Sequence, residues 1–157
     1  MRRRARLVAG VAVISLAAGL GGCGLQIPAD PNGTLDRATG AELRVGASPD
    51  ASLIEVRGDD VSGVLAEVVE AFAASIDATV EWTVGGEEQL VTGLEEGELD
   101  LVVGGITDET PWLDRAGVSR GYPEMPGANG RTIVMLVPLG ENRFLSTLET
   151  FLDEELG

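Results

Sequence analysis

The chain has no histidine, no lysine and one cysteine in 157 residues. Without histidine there is no imidazole acid–base relay and no imidazole metal ligand. One cysteine excludes a disulfide within the chain. Neither a nucleophile-elbow pattern nor a phosphate-loop pattern occurs. The pairs Gly85-Gly86 and Gly104-Gly105 lack the Gly-x-Gly-x-x-Gly spacing of a dinucleotide site. Carboxylate pairs are common: Asp59-Asp60, Glu87-Glu88 and Glu95-Glu96. Such pairs serve glycoside hydrolysis or calcium in other settings. In a chain this acidic they read as solvated helix faces and turns. The expectation is a non-enzyme with no cofactor and no metal site.

Cations are scarce as well. There are 11 basic residues against 26 acidic ones, a net charge of −15. Four of the arginines, Arg2, Arg3, Arg4 and Arg6, lie at the very start. An apolar and small-residue run from Leu7 to Leu20 follows them, too short for a membrane span of roughly 20 residues. This is the pattern of an export signal. Leu20-Gly21-Gly22-Cys23 resembles a bacterial lipobox, which implies lipidation of Cys23 after removal of residues 1–22. The remaining chain carries seven arginines against 26 acids, a net charge of −19. Charge of that sign excludes electrostatic binding to nucleic acid or anionic lipid. A lipid at Cys23 is then what holds the protein on the outer, extracytoplasmic face of the cell membrane.

Residues 24–41 contain Pro28, Pro31, Asn32-Gly33 and Gly40 and show no hydrophobic period. They read, with Cys23, as a lipid-anchored flexible tether over 23–41. Residues 42–157 read as one folded domain. Leu43–Ser48 is a short buried strand. Val64, Leu65, Val68, Val69, Phe72, Ala73 and Ile76 form a helical stripe. Ala78–Val84 alternates as a half-buried strand. Leu90, Val91 and Leu94 share one face of a short helix that Gly97 caps. Leu99–Thr107 is a continuous apolar strand. Arg131–Pro138 is a further strand. Phe144, Leu145, Leu148, Phe151 and Leu152 line a last helix. Strands alternating with helices imply an α/β fold with a largely parallel sheet.

From Leu43 to Tyr122 the chain resembles the first lobe of bacterial extracellular solute-binding proteins of the polar amino-acid type, family 3. The likeness rests on "LRVGAS", "VVEAFAASIDATVEW", "LVTGLEEGELD" and "DLVVGGIT". It implies a periplasmic-binding-protein-like lobe serving an ABC transporter. It also implies a cleft beyond the carboxyl ends of the strands, with Ser48 and Thr107 facing it.

Two departures stand out. The family continues Gly-x-Thr-x-Thr-x-x-Arg, and that arginine grips the ligand carboxylate, a bidentate task suited to guanidinium. Ungapped, Glu109 falls at the second threonine and Trp112 at the arginine. Thr110 and Arg115 are the available substitutes, Arg115 standing either as a clamp or as an exposed helix-end charge. The second lobe is also missing, since only eight residues separate Tyr122 from Arg131. Trp82 and Trp112 are either core or rim aromatics.

The reading is a membrane-anchored, solute-binding-like lipoprotein. Its candidate ligand residues are Ser48, Thr107, Thr110 and Arg115. Its expected partners are a small polar solute and a membrane transporter, with no nucleic acid. The alternative is a regulatory or interaction subunit of a transporter that binds no solute.

Overall fold

The computed structural model describes residues 30–156. The export signal, Cys23 and residues 24–29 lie outside the described residues. The elements are α1 Thr34–Ala38, β1 Glu42–Ala47, β2 Glu55–Arg57, β3 Asp60–Ser62, α2 Val64–Ser75, β4 Thr79–Val84, α3 Glu87–Glu95, β5 Leu101–Val103, β6 Ala116–Val118, β7 Leu136–Pro138 and α4 Asn142–Leu156.

A five-stranded sheet in the order β4-β1-β5-β7-β6 forms the centre. Strands β4, β1 and β5 are parallel, and β7 runs antiparallel to both of its neighbours. The sheet is therefore mostly parallel, as the alternation of elements requires. Side chains alternate across the pleat. Leu43, Val45 and Ala47 of β1, with Leu101 and Val103 of β5, face the cluster built by α1, α2 and α4. Phe72 of α2 lies at its centre, with ring centroids 5.8 Å from Phe144 and 5.6 Å from Phe151. On the opposite face Val102 and Leu136 meet Leu90, Val91 and Leu94 of α3. Trp82 is half-buried against the first cluster and Trp112 against the second.

Three sequence expectations change. Residues 30–41, expected within the flexible tether, are folded. Leu35 and Ala38 of α1 enter the core, and the Glu141 carboxylate accepts hydrogen bonds from the N–H groups of Asn32 and Thr34 at 2.8 and 3.0 Å. A five-residue helix is too short for a hydrophobic period to show. The strand expected at Arg131–Pro138 is split. Only Leu136–Pro138 joins the sheet, while Ile133 makes single bridges to Thr107 and Tyr122. The strand expected over Leu99–Thr107 is likewise shortened, to Leu101–Val103. The third change is an addition: the edge strand β6 and the β2–β3 hairpin. In the hairpin, Arg57 and Asp60 pair across the two-residue turn Gly58-Asp59, with Gly58 at φ +65°.

No helix among the described residues is long and apolar enough to cross a membrane.

Candidate functional site

Strand β1 is followed by α2 and then by β4 on one side of it; α3 then leads to β5 on its other side. The chain thus changes direction across the sheet at β1. Open α/β sheets hold ligands in the crevice beyond the carboxyl ends of the strands at such a switch point. Here that crevice lies between the segments leaving β1 and β5.

The two segments are pressed together. The Ser48 N–H donates to the Val103 carbonyl at 2.9 Å, which extends the β1–β5 ladder by one rung. A Cβ on Gly104 would lie 2.7 Å from the Ser48 carbonyl oxygen, so only glycine allows this approach. Beyond it, Thr107 bridges to Ile133, and the Asp108 N–H donates to the Thr132 carbonyl at 3.2 Å. That pairing carries Arg131 back over the crevice.

Arg131 meets Asp50 there. Its Nη1 donates to Asp50 Oδ2 at 2.8 Å and its Nη2 to Oδ1 at 3.2 Å. Nη2 also donates to Ser52 Oγ at 3.0 Å, and Nε donates to the Ala128 carbonyl at 3.0 Å. Asp50 is further held by the Ser52 N–H at 3.1 Å and the Ser52 hydroxyl at 2.9 Å. The Arg131 guanidinium, ahead of any other influence, draws the Asp50 carboxyl down to about 2. Gly105 lies directly beneath the pair: a Cβ there would be 2.4 Å from Asp50 Oδ2 and 2.9 Å from Arg131 Nη1.

The four residues expected to hold a ligand are dispersed. Ser48 and Thr107 lie just beyond the carboxyl ends of β1 and β5, each partly exposed. Thr110 is buried, and its hydroxyl accepts from the Trp112 N–H at 3.4 Å, closing a turn. Arg115 is committed elsewhere. It donates through Nη2 to Thr92 Oγ1 at 3.2 Å and pairs with Glu95, both on α3, while its guanidinium lies 5.4 Å from the Trp112 ring centroid. Helix α3 starts beside the carboxyl end of β4 and runs back toward the other end of the sheet. At 1.5 Å per residue, Glu95 is about 12 Å from the helix start. Arg115 thus takes the helix-side role. Trp112 is fastened to the start of α3, its indole N–H donating to Glu87 at 3.2 Å.

Sequence reasoning missed Asp50, Ser52 and Arg131. One signal was available: in a chain so short of cations, each arginine needs a stated partner. All seven described arginines have a carboxylate partner, namely Arg37 and Arg44 with Asp100, Arg57 with Glu55, Arg115 with Glu95, Arg120 with Glu149 and Asp153, Arg131 with Asp50, and Arg143 with Asp36. Each guanidinium among the described residues is thus already paired with a carboxylate of the protein.

The sequence matches no family model and no curated protein. Solved structures do resemble the chain. Domain 1 of TmArgBP in its arginine-bound form is 18% identical, with a TM-score of 0.62, over 72% of this chain and 92% of that one. An ancestral arginine-binding protein bound to arginine is 12% identical, with a TM-score of 0.63, over 75% of this chain and 93% of that one. An ancestral cyclohexadienyl dehydratase is 24% identical, with a TM-score of 0.50, over 61% of this chain and 40% of that one. The fold is a solute-binding-protein lobe. The same fold serves binding proteins and at least one protein named for a catalytic activity.

Proposed function

We propose that this protein is a lipid-anchored, extracytoplasmic solute-binding-like lobe that binds a small polar solute or presents it to an ABC-type membrane transporter. The observation that carries this reading is the switch point of an α/β lobe, with Ser48 and Thr107, each partly exposed, beyond the carboxyl ends of its strands. Domain 1 of TmArgBP is arginine-bound as one domain, so one lobe can hold a ligand in that protein. The absence of histidine supports binding over catalysis. Since the described arginines are all paired, the solute is neutral or cationic, or is held by backbone N–H groups alone. Thr110 and Arg115 do not belong to the ligand set in this reading.

The test is a thermal-shift screen of the full chain in detergent against amino acids, organic acids, polyamines and metal ions. A dose-dependent rise in Tm with one class is expected, following mass action. A flat response from a folded sample removes solute binding. The anchor is tested separately by mass spectrometry of Cys23. Acylation and membrane fractionation that are both lost in Cys23→Ser are expected.

A second reading is favoured by the Asp50–Arg131 pair, which fills the crevice from within. The lobe then serves as a regulatory subunit that contacts a membrane transporter through the segment from Thr107 to Pro123. Leu113 in that segment is 66% exposed. Cross-linking from that segment to a membrane protein, together with a flat solute screen, would establish this alternative.

A further inference from the structure

We infer that Asp50, Ser52 and the Ala128 carbonyl form a guanidinium receptor in the switch-point crevice, and that Arg131 is its built-in occupant. The receptor's four acceptor contacts embrace one planar cation: both Asp50 oxygens, the Ser52 hydroxyl and the Ala128 carbonyl, at 2.8, 3.2, 3.0 and 3.0 Å. Such a fork-to-carboxylate arrangement recognises guanidinium by shape as well as charge.

Two features mark this pair out. It stands where an open α/β sheet places its ligand. The chain keeps glycine at 105, where any side chain would strike both partners. The receptor is also preassembled on its own side, because Ser52 orients Asp50 through two hydrogen bonds that do not involve Arg131. Arg131 is one-third exposed, so its guanidinium reaches the site from the solvent side, as a free cation would.

The consequence concerns specificity. In the wild type a cationic solute competes with a tethered guanidinium of very high local concentration. Arg131 is therefore the residue that decides whether Asp50 is offered to a ligand. This rests on the reading of the switch-point crevice as the ligand position, and it names the ligand class that the crevice takes once opened: guanidinium compounds.

The experiment is chemical rescue with guanidinium chloride at low millimolar concentration, far below denaturing levels. The full chain in detergent is compared with Arg131→Ala, Arg131→Gln and the Asp50→Asn/Arg131→Ala double variant. Sodium chloride at matched ionic strength is the control. The single variants are expected to melt on the order of 5 °C below wild type. Guanidinium returns a dose-dependent part of that deficit, and sodium does not. The wild type and the double variant show no such rise. A single variant that refolds only with guanidinium present supports the receptor equally. Single variants whose melting or refolding is indifferent to guanidinium overturn it, leaving the pair as a structural tie. A wild type that binds a solute while the variants ignore guanidinium keeps the proposed function and removes this inference. Guanidinium rescue with a flat solute screen does the reverse.

Discussion

Arg44 holds Asp100 with three donors: its N–H at 3.0 Å, Nε at 3.1 Å and Nη2 at 2.6 Å. Arg37 of α1 adds a second guanidinium to the same carboxylate. Asp100 is fully buried at the amino end of β5. The cluster ties α1, β1 and β5 together at the end of the sheet opposite the crevice. Burial pushes the Asp100 carboxyl up, but the hydrogen bonds from Arg37 and Arg44 outweigh it and leave it below the usual range. Asp100→Ala removes the acceptor of these hydrogen bonds and leaves two partly exposed guanidinium groups without their carboxylate. It is expected to cost about 2–3 kcal/mol in chemical denaturation. A cost under about 1 kcal/mol would mean that the arginines are solvated without it.

Asp50 and Asp100 both have depressed pKa values in the fold. As the pH falls, the unfolded chain takes up protons first, so stability is lost. The loss begins near the ordinary carboxylate value of 3.8 and, for Asp50, runs down to about 2. Asp30 acts in the opposite sense, because burial raises it. Urea midpoints from pH 6 to pH 2 should decline, and Arg131→Ala should flatten the Asp50 portion. A wild-type profile that is level below pH 4 would contradict this.

Gly127 and Gly130 have nearly the same φ, +83° and +81°. Their surroundings differ. A Cβ on Gly127 would lie 2.2 Å from the Ser52 carbonyl oxygen, whereas nothing lies within 4 Å at Gly130. Gly130→Ala should therefore cost only the conformational penalty of about 1 kcal/mol. Gly127→Ala should cost that and a backbone clash, about 3 kcal/mol or more in all. Equal costs in denaturant titration would refute the close approach of residues 52 and 127.

Tyr122 is the sole tyrosine, so the pH-dependent rise in absorbance at 295 nm reports its ionisation, above a constant tryptophan background. Burial, with Asp153 adding to it, pushes the phenol up to about 12. Its stabilising contribution is complete below pH 10 and is lost as pH rises toward 12. Spectrophotometric titration should show no phenolate until above about pH 11, and unfolding midpoints should fall over the same window. A midpoint near 10 would place the ring in solvent.

Arg115→Ala removes an ion pair at the protein surface. Its Tm should differ little from wild type, since such pairs contribute little. Any solute affinity found in the wild type should persist in it. A loss of affinity would restore Arg115 as the carboxylate clamp.

Much of the fold was legible because burial imposes periods. The α2 stripe from Val64 to Ile76 and the apolar run of β5 are patterns that water selects against at a surface. Gly97, at φ +73°, ends α3 as its position suggested. The β2–β3 hairpin was not legible, since only Val56 and Val61 mark it and the rest is polar or glycine. Helix α1 was hidden for a related reason: Leu35 and Ala38 become apolar anchors only when β1 and α4 are beside them.

The sequence by itself determined the α/β class, the net acidity and the shortage of cations. Those are properties of composition and local period, which need no knowledge of distant neighbours. The tertiary structure decided where each arginine spends its charge. Arg115 and Arg131 are equivalent as letters, and the local sequence of neither names its partner. Only the path of the backbone brings Arg131 across 81 residues to Asp50 and turns Arg115 onto Glu95. Guanidinium pairing depends on distance and direction in space, and neither is written in local sequence.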